Sequence, residues 1–177
     1  AALGLEVDLQ ATMKAKALLG KSRHEVTHIP SLPYRDAPTF YRMLAEKDSV
    51  TCLALRFLML TVARTSEVRF ATVDEIDGDV WMLPAARTKS NREHRIPLTD
   101  EALKIVEKAK ALSKQPLVFP SPSGKALSDA AMAKFMKDNG HDARPHGFRA
   151  TFRTWVEEQT DADYETKEAA LGHAVDS

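Results

Sequence analysis

The stretch Arg144-Pro145-His146-Gly147-Phe148-Arg149 places an imidazole and a guanidinium three positions apart at what reads as a helix start. Proline fits the first turn of a helix and not its interior, so Pro145 marks that start. Arg153 lies four positions further on, and His146, Arg149 and Arg153 are predicted to share one helical face. Phe148, Phe152 and Trp155 are predicted to share another and to anchor the helix. An imidazole and two guanidiniums beside the positive end of a helix make a place for a phosphate.

Three further positions carry chemistry. Arg64, in Ala63-Arg64-Thr65-Ser66-Glu67-Val68, follows a strongly apolar run and so needs a partner, for which Glu67 is close enough. Lys89, in Arg87-Thr88-Lys89-Ser90-Asn91-Arg92, sits at the tip between two predicted strands. His173 follows Leu171-Gly172. Taken singly, each has a plain reading: a structural Arg–Glu pair, a solvated hairpin tip, a surface turn. His146 with Arg149 is compatible with either a functional or a capping role.

The elements that must position these residues are legible in outline. Residues 9–20 read as a short helix ending at Gly20, and 21–34, with Pro30 and Pro33, as a linker. Asp36 with Pro38 signals a helix to about Lys47. Ser49 caps a second helix, apolar nearly all round and therefore central to a core, that stops near Ala63. Thr65 or Ser66 is expected to cap a short successor. Asp77-Gly78 is a hairpin signal, with strands at 80–83 and 94–98 around a polar turn. Thr99 caps a helix to about Ser113, 116–123 is a short extended piece, and Ser128 is expected to cap a helix ending at Gly140. A helix runs from His146, and another spans about 163–171 with Gly172 as its stop. The class is α+β, mainly α-helical with a small antiparallel sheet.

Composition sets the bounds. With 177 residues, 44% hydrophobic and 28% charged, the chain can bury a core, and one domain with an appendage is the natural count. Its one cysteine, Cys52, allows no internal disulfide, fits a reducing cytoplasm and reads as a small core residue. The longest greasy run, 53–63, is broken by Arg56 and is too short to cross a bilayer. The N-terminus has no secretory pattern and no Met, as expected of an excised or processed piece. Lys plus Arg and Asp plus Glu both number 25, a balance unusual for a nucleic-acid binder. The charges are segregated, however: 14–24, 87–95 and 144–153 are basic, while 74–79 and 157–168 are acidic. A surface so divided binds a polyanion, weakly. No tight Asp/Glu or Cys/His set marks a metal site.

In sequence order, an arginine early in the domain, a lysine on a β-turn, His-x-x-Arg at a helix start and Leu-Gly-His resemble the catalytic domain of the tyrosine recombinases, the phage integrase family. The likeness is closest to integrases of temperate phages and genomic islands. The surrounding text is also similar: Ala63-Arg64-Thr65-Ser66-Glu67-Val68, Trp81-Met82-Leu83-Pro84, Lys89 ahead of His94-Arg95-Ile96-Pro97-Leu98, and Val118-Phe119-Pro120-Ser121. His28-Ile29-Pro30-Ser31-Leu32-Pro33-Tyr34 resembles the way into that domain. Each motif is weak alone; their order is specific.

The resemblance implies a tyrosine-recombinase catalytic fold over 31–177, with 1–30 a linker and remnant of a preceding DNA-binding region. It implies that Arg64 and Arg149 clamp a scissile phosphate, Lys89 protonates the leaving 5′ oxygen, His146 assists proton transfer at the nucleophile, His173 hydrogen-bonds the phosphate and Glu67 orients Arg64. Arg87, Arg92 and Arg153 are expected to touch DNA. No cofactor and no metal are implied. The partners implied are double-stranded DNA and three further protomers in the full synaptic complex, with this chain alone monomeric, off the membrane and in a bacterial cytoplasm. The family attacks with a tyrosine on the helix after the Gly-His position, and the chain ends at Ser177, ahead of that point. Tyr34, Tyr41 and Tyr164 are not expected to replace it, so binding without cleavage is expected. The alternative is a non-catalytic DNA-binding or protein-interaction domain of the same fold.

Overall fold

A computed structural model describes residues 29–173 together with Gln10, Met13, Lys14 and Leu18. Those four early residues are helical, as expected for 9–20; the rest of that helix, the basic run 14–24 apart from Lys14 and Leu18, and most of the linker lie outside the described residues.

The fold is built around one helix with no wet face. Helix α1 (Ala37–Ala45) leads into α2 (Val50–Thr61), in which every residue from 52 to 58 is buried. Ser49 starts α2 by accepting a hydrogen bond from the Cys52 amide at 3.2 Å. Helix α3 (Thr65–Arg69) follows at once, then a three-stranded antiparallel sheet of β1 (Ile76–Asp77), β2 (Val80–Leu83) and β3 (His94–Pro97) in sequence order. Helix α4 (Asp100–Leu112) packs on α2 through Ala102, Ile105, Val106 and Ala109, one stripe at helical spacing. Helix α5 (Ala131–Asp138) buries Met132 and Met136 against the same core. Helices α6 (Phe148–Gln159) and α7 (Tyr164–Ala170) close the described chain. The mainly helical class with a small antiparallel sheet is the one expected.

The sheet meets the core through Trp81, fully buried, whose ring lies 5.2 Å from that of Phe57, itself 5.3 Å from Phe119. Strands β1 and β2 are joined by Gly78-Asp79, with Gly78 at φ +58°, so the turn lies one residue later than Asp77-Gly78 suggests. Trp81 pairs with Ile96 and Leu83 with His94 across β2 and β3, and the long connection 84–93 between them projects Lys89 outward.

Several local expectations are corrected. Asp36 precedes α1 but makes no side-chain cap; its backbone is already helical, so its carboxylate is out of reach. Ser128 does not cap α5: its carbonyl takes the Ala131 amide in a turn at 3.1 Å, and α5 starts at Ala131. Neither Thr65 nor Ser66 caps α3; Arg64 holds that position. Residues 145–147 form a separate 3-10 turn, so His146 precedes α6 instead of riding on it. Trp155 is 41% exposed, its ring 6.0 Å from that of Phe152, and lies outside the core; Phe148, Arg149, Thr151 and Val156 are the buried side of α6.

Arg56 had no role in the sequence reading. It is buried within α2, donates to Glu101 on α4 at 2.5 Å and lies 5.0 Å over the ring of Tyr41, whose hydroxyl donates to the same carboxylate at 3.0 Å. One exposed carboxylate thus lets an arginine sit inside a greasy helix.

Candidate functional site

Helix α2 ends abruptly at Val62, a β-branched residue held at φ +53°, where only the surrounding structure keeps it. That turn aims the Val62 carbonyl outward and delivers Arg64 to the start of α3. The Arg64 amide donates to Glu67 at 2.6 Å and its guanidinium to the other carboxylate oxygen at 2.9 Å. Glu67 is 3% exposed, so the pair is a fixed mount for the guanidinium.

Behind it stands a brace. Arg87 donates to the Glu67 carbonyl at 2.5 Å and ion-pairs with Glu75, which also accepts from the Trp81 indole at 2.9 Å. The expected DNA contact at Arg87 is therefore a guanidinium turned inward, linking the core tryptophan to the Arg64 mount. Arg92 is exposed, with no ion-pair partner among the described residues.

Arg149 stands in the first turn of α6 and is 8% exposed. Its guanidinium donates to the Val62 carbonyl at 2.8 Å and the Leu171 carbonyl at 2.6 Å, and meets Nε2 of His173 at 3.0 Å. An arginine only donates, so His173 Nε2 accepts and Nδ1 carries the proton toward Glu168, 2.6 Å away. Glu168 also pairs with Arg153, and the His173 hydrogen bond foremost, then Arg153, holds its carboxyl below the usual range. Arg149 and Arg153 do share a face, but Arg153 is spent on Glu168 and lies 5.7 Å over the Tyr164 ring.

Electrostatics join these groups. Burial, then the charge of Arg64, lowers the proton affinity of Arg149, against the pull of Glu67 and Glu168. Partial burial lowers that of His146, followed by Arg149, Arg64 and Lys89. The exposed hairpin lysine is thus within Coulombic reach of the imidazole. Hydrogen bonds bring Arg64, Glu67, Arg149 and His173 to one end of α2, and His146 lies within Coulombic reach of that group and of Lys89. Among the described residues no group of three or more His, Cys, Asp or Glu side chains is placed to hold a metal ion.

Two features were missed. Gly147 is not a helix-breaker: a Cβ there would lie 2.4 Å from the Pro30 carbonyl oxygen. The strap 30–32 lies across this turn, its carbonyls taking the Arg144 amide at 2.9 Å and the Thr151 hydroxyl at 2.5 Å. The glycine between His146 and Phe148 was the readable signal. His94, read as a strand start within the block that resembles the family but given no role, is half-buried and feels Glu67, Arg64 and Arg149. Nothing in its local sequence marks it.

Comparison with known proteins identifies the family and the fold. Residues 32–177 match the phage integrase family. The integrase of Enterobacteria phage P4 is 30% identical over 155 residues, covering 75% of this chain and 35% of that protein. Prophage integrase IntA of Escherichia coli is 36% identical over 132 residues, covering 71% and 32% respectively. The chain thus spans about a third of the length of these curated relatives. Among solved structures, the lambda integrase catalytic core superimposes with a TM-score of 0.63 at 15% identity, over 84% of this chain and 94% of that one. XerA recombinase gives 0.65 at 14% identity, over 86% and 58%. Fold, motif order and sequence likeness coincide: the chain belongs to the phage integrase family of tyrosine recombinases and carries the fold of their catalytic domain.

Proposed function

We propose that this chain is the catalytic domain of a site-specific DNA integrase, with 31–177 as that domain and 1–30 leading into it, and that its chemistry is metal-independent transesterification. Arg64 and Arg149 hold the non-bridging oxygens of the scissile phosphate, Glu67 orients Arg64, and His173 hydrogen-bonds the phosphate. A tyrosine hydroxyl attacks phosphorus and loses its proton with help from His146. The phosphorus bond to the 5′ oxygen breaks, and Lys89 supplies that oxygen's proton. The products are a 3′-phosphotyrosyl link and a free 5′ hydroxyl, and the reverse attack rejoins a strand.

One observation carries this reading: Arg149 donates to the Val62 carbonyl, two residues before Arg64, so two guanidiniums far apart in sequence meet at one end of α2, and only Arg64 has a carboxylate of its own. Two neighbouring cations with one carboxylate between them are short of an anion. Fixed donors around the equatorial oxygens favour the doubly negative transition state over the ground state, and losing one costs on the order of 10²–10³ in rate. Arg92 contacts the DNA backbone, and Arg153 supports His173 through Glu168. By analogy with the lambda integrase tetramer bound to a Holliday junction, the complete enzyme works as four protomers on DNA, in the bacterial cytoplasm.

The attacking tyrosine is none of the three in the sequence. Tyr34 donates to Glu158 at 3.0 Å, Tyr41 is held by Glu101, and Tyr164 stacks under Arg153. The 177 residues alone therefore bind duplex DNA and form no covalent link with a nicked suicide duplex. The test is duplex affinity across a salt series. Arg64→Ala and Arg149→Ala are expected to weaken binding and each reduce the slope against log salt by about 1. Unchanged affinity and slope in both would sink the phosphate-site reading.

A further inference from the structure

His94 opens β3 at the point where the connection carrying Lys89 returns to the sheet, opposite Leu83. Its ring is half-buried, and no hydrogen-bond partner for it exists among the described residues. What the ring does touch is backbone. A Cβ built on Gly172 would lie 3.1 Å from Nε2, 3.2 Å from Cδ2 and 3.5 Å from Cε1 of His94. The imidazole therefore rests on a glycine, at φ +61°, that no larger residue replaces without displacing it.

Gly172 joins two of the three residues that hold the Arg149 guanidinium. The carbonyl before it, Leu171, takes the guanidinium at 2.6 Å, and the side chain after it, His173, meets the same nitrogen at 3.0 Å. Next to this seat is a cavity of about 310 Å³ lined by Ser90, Arg92, His94, Ala169, Gly172 and His173. Removing the ring would merge its space with that cavity and leave the turn unsupported on one side.

We propose that His94 is a positioning residue of the phosphate site, its ring seated on Gly172 fixing the hairpin that presents Lys89 against the turn that presents His173 and anchors Arg149. The catalytic meaning of this seat rests on the proposed function; the seat itself is tested without it. The ring acts through shape: a flat side chain fills the slot over a glycine, and its nitrogens are not needed for the contact.

The experiment follows hydrogen exchange of the Arg149 guanidinium protons by NMR in the ¹⁵N-labelled chain, with the indole proton of the fully buried Trp81 as the reference for opening of the core. His94→Ala is expected to speed exchange at Arg149 by about tenfold while Trp81 changes by less than about twofold, a local opening. His94→Phe, which keeps a flat ring, is expected to hold Arg149 within about twofold of the parent. Unaltered Arg149 exchange in His94→Ala overturns the proposal, as does a parallel rise at Trp81 or a failure of the folded His94→Phe chain to restore protection. Should His94→Ala not fold, Gly172→Ala applies the test from the other side, since its Cβ pushes the ring off its seat: faster Arg149 exchange supports the proposal and unchanged exchange overturns it. Unchanged DNA affinity and salt slope in Arg64→Ala and Arg149→Ala would defeat the functional reading and leave these exchange results standing.

Discussion

Arg149 and Val62 are 87 positions apart, yet the guanidinium of one caps the last carbonyl of the helix that ends at the other, at 2.8 Å. The same guanidinium closes the turn after α7 through Leu171. It is at once a helix cap, a clasp between three segments and a buried cation with no carboxylate of its own.

This double duty predicts an unequal response to substitution. Arg149→Lys keeps the charge but cannot hold two carbonyls and an imidazole with one planar fork. It is expected to lower stability by about 1–3 kcal/mol, with the orphaned carbonyls as the cause. Arg149→Ala is expected to cost at least as much. Denaturant midpoints at constant slope read both, and a lysine variant as stable as the parent would show that the clasp is dispensable.

Glu67 tests the mount in isolation. Its carboxylate is buried and serves both the amide and the side chain of Arg64. Removing one partner of a buried pair typically costs about 3–5 kcal/mol. Because Arg64 remains 19% exposed at its side chain, water relieves part of that, and Glu67→Ala is expected at the lower end. Glu67→Gln should recover part of the loss by accepting from the Arg64 amide. Urea unfolding of the two variants decides it.

Acid should loosen the fold from near neutrality downward. Burial, foremost, holds His94 and His146 below their ordinary value of 6.5. The unfolded chain therefore takes up protons first as pH falls through 6.5, and stability present above that value is lost toward the lower folded values. Glu168, held below 4.5 mainly by the His173 hydrogen bond, adds a loss of the same sign in a more acidic window. Melting temperatures at about pH 7.5 and about pH 5.5 should differ, and by less in His94→Phe, which has nothing to titrate there. An identical pH slope in parent and variant would contradict this.

Gly147 sets how the strap 30–32 crosses the site. A methyl group there would meet the Pro30 oxygen at 2.4 Å and the Ser31 Cα at 2.9 Å, backbone atoms that cannot turn aside. Gly147→Ala is expected to destabilise by about 1–3 kcal/mol, as overpacking does. The shift of the adjacent turn should also weaken duplex binding through His146. Thermal melting and duplex affinity, measured together, check both halves.

Local signals were legible because local bonds create them. Ser49, Thr99 and Asp163 each accept from an amide three residues on, and the sequence placed all three helix starts. The all-apolar run of α2 could only be central, and the order Arg64, Lys89, His146, Arg149, His173 marked the family. What the sequence could not decide was the fate of each cation. Arg56, Arg87, Arg92 and Arg149 are one residue type, and their neighbours in sequence do not say which partners they take. Yet Arg56 is buried against Glu101, Arg87 braces Glu67, Arg92 is open to solvent, and Arg149 clasps carbonyls from two distant turns. A charged group settles where its long-range partners and its loss of water balance, and those partners are chosen by tertiary packing. For the same reason the seat of His94 was invisible beforehand: the ring lies against a glycine on another segment, and nothing along its own strand records that meeting.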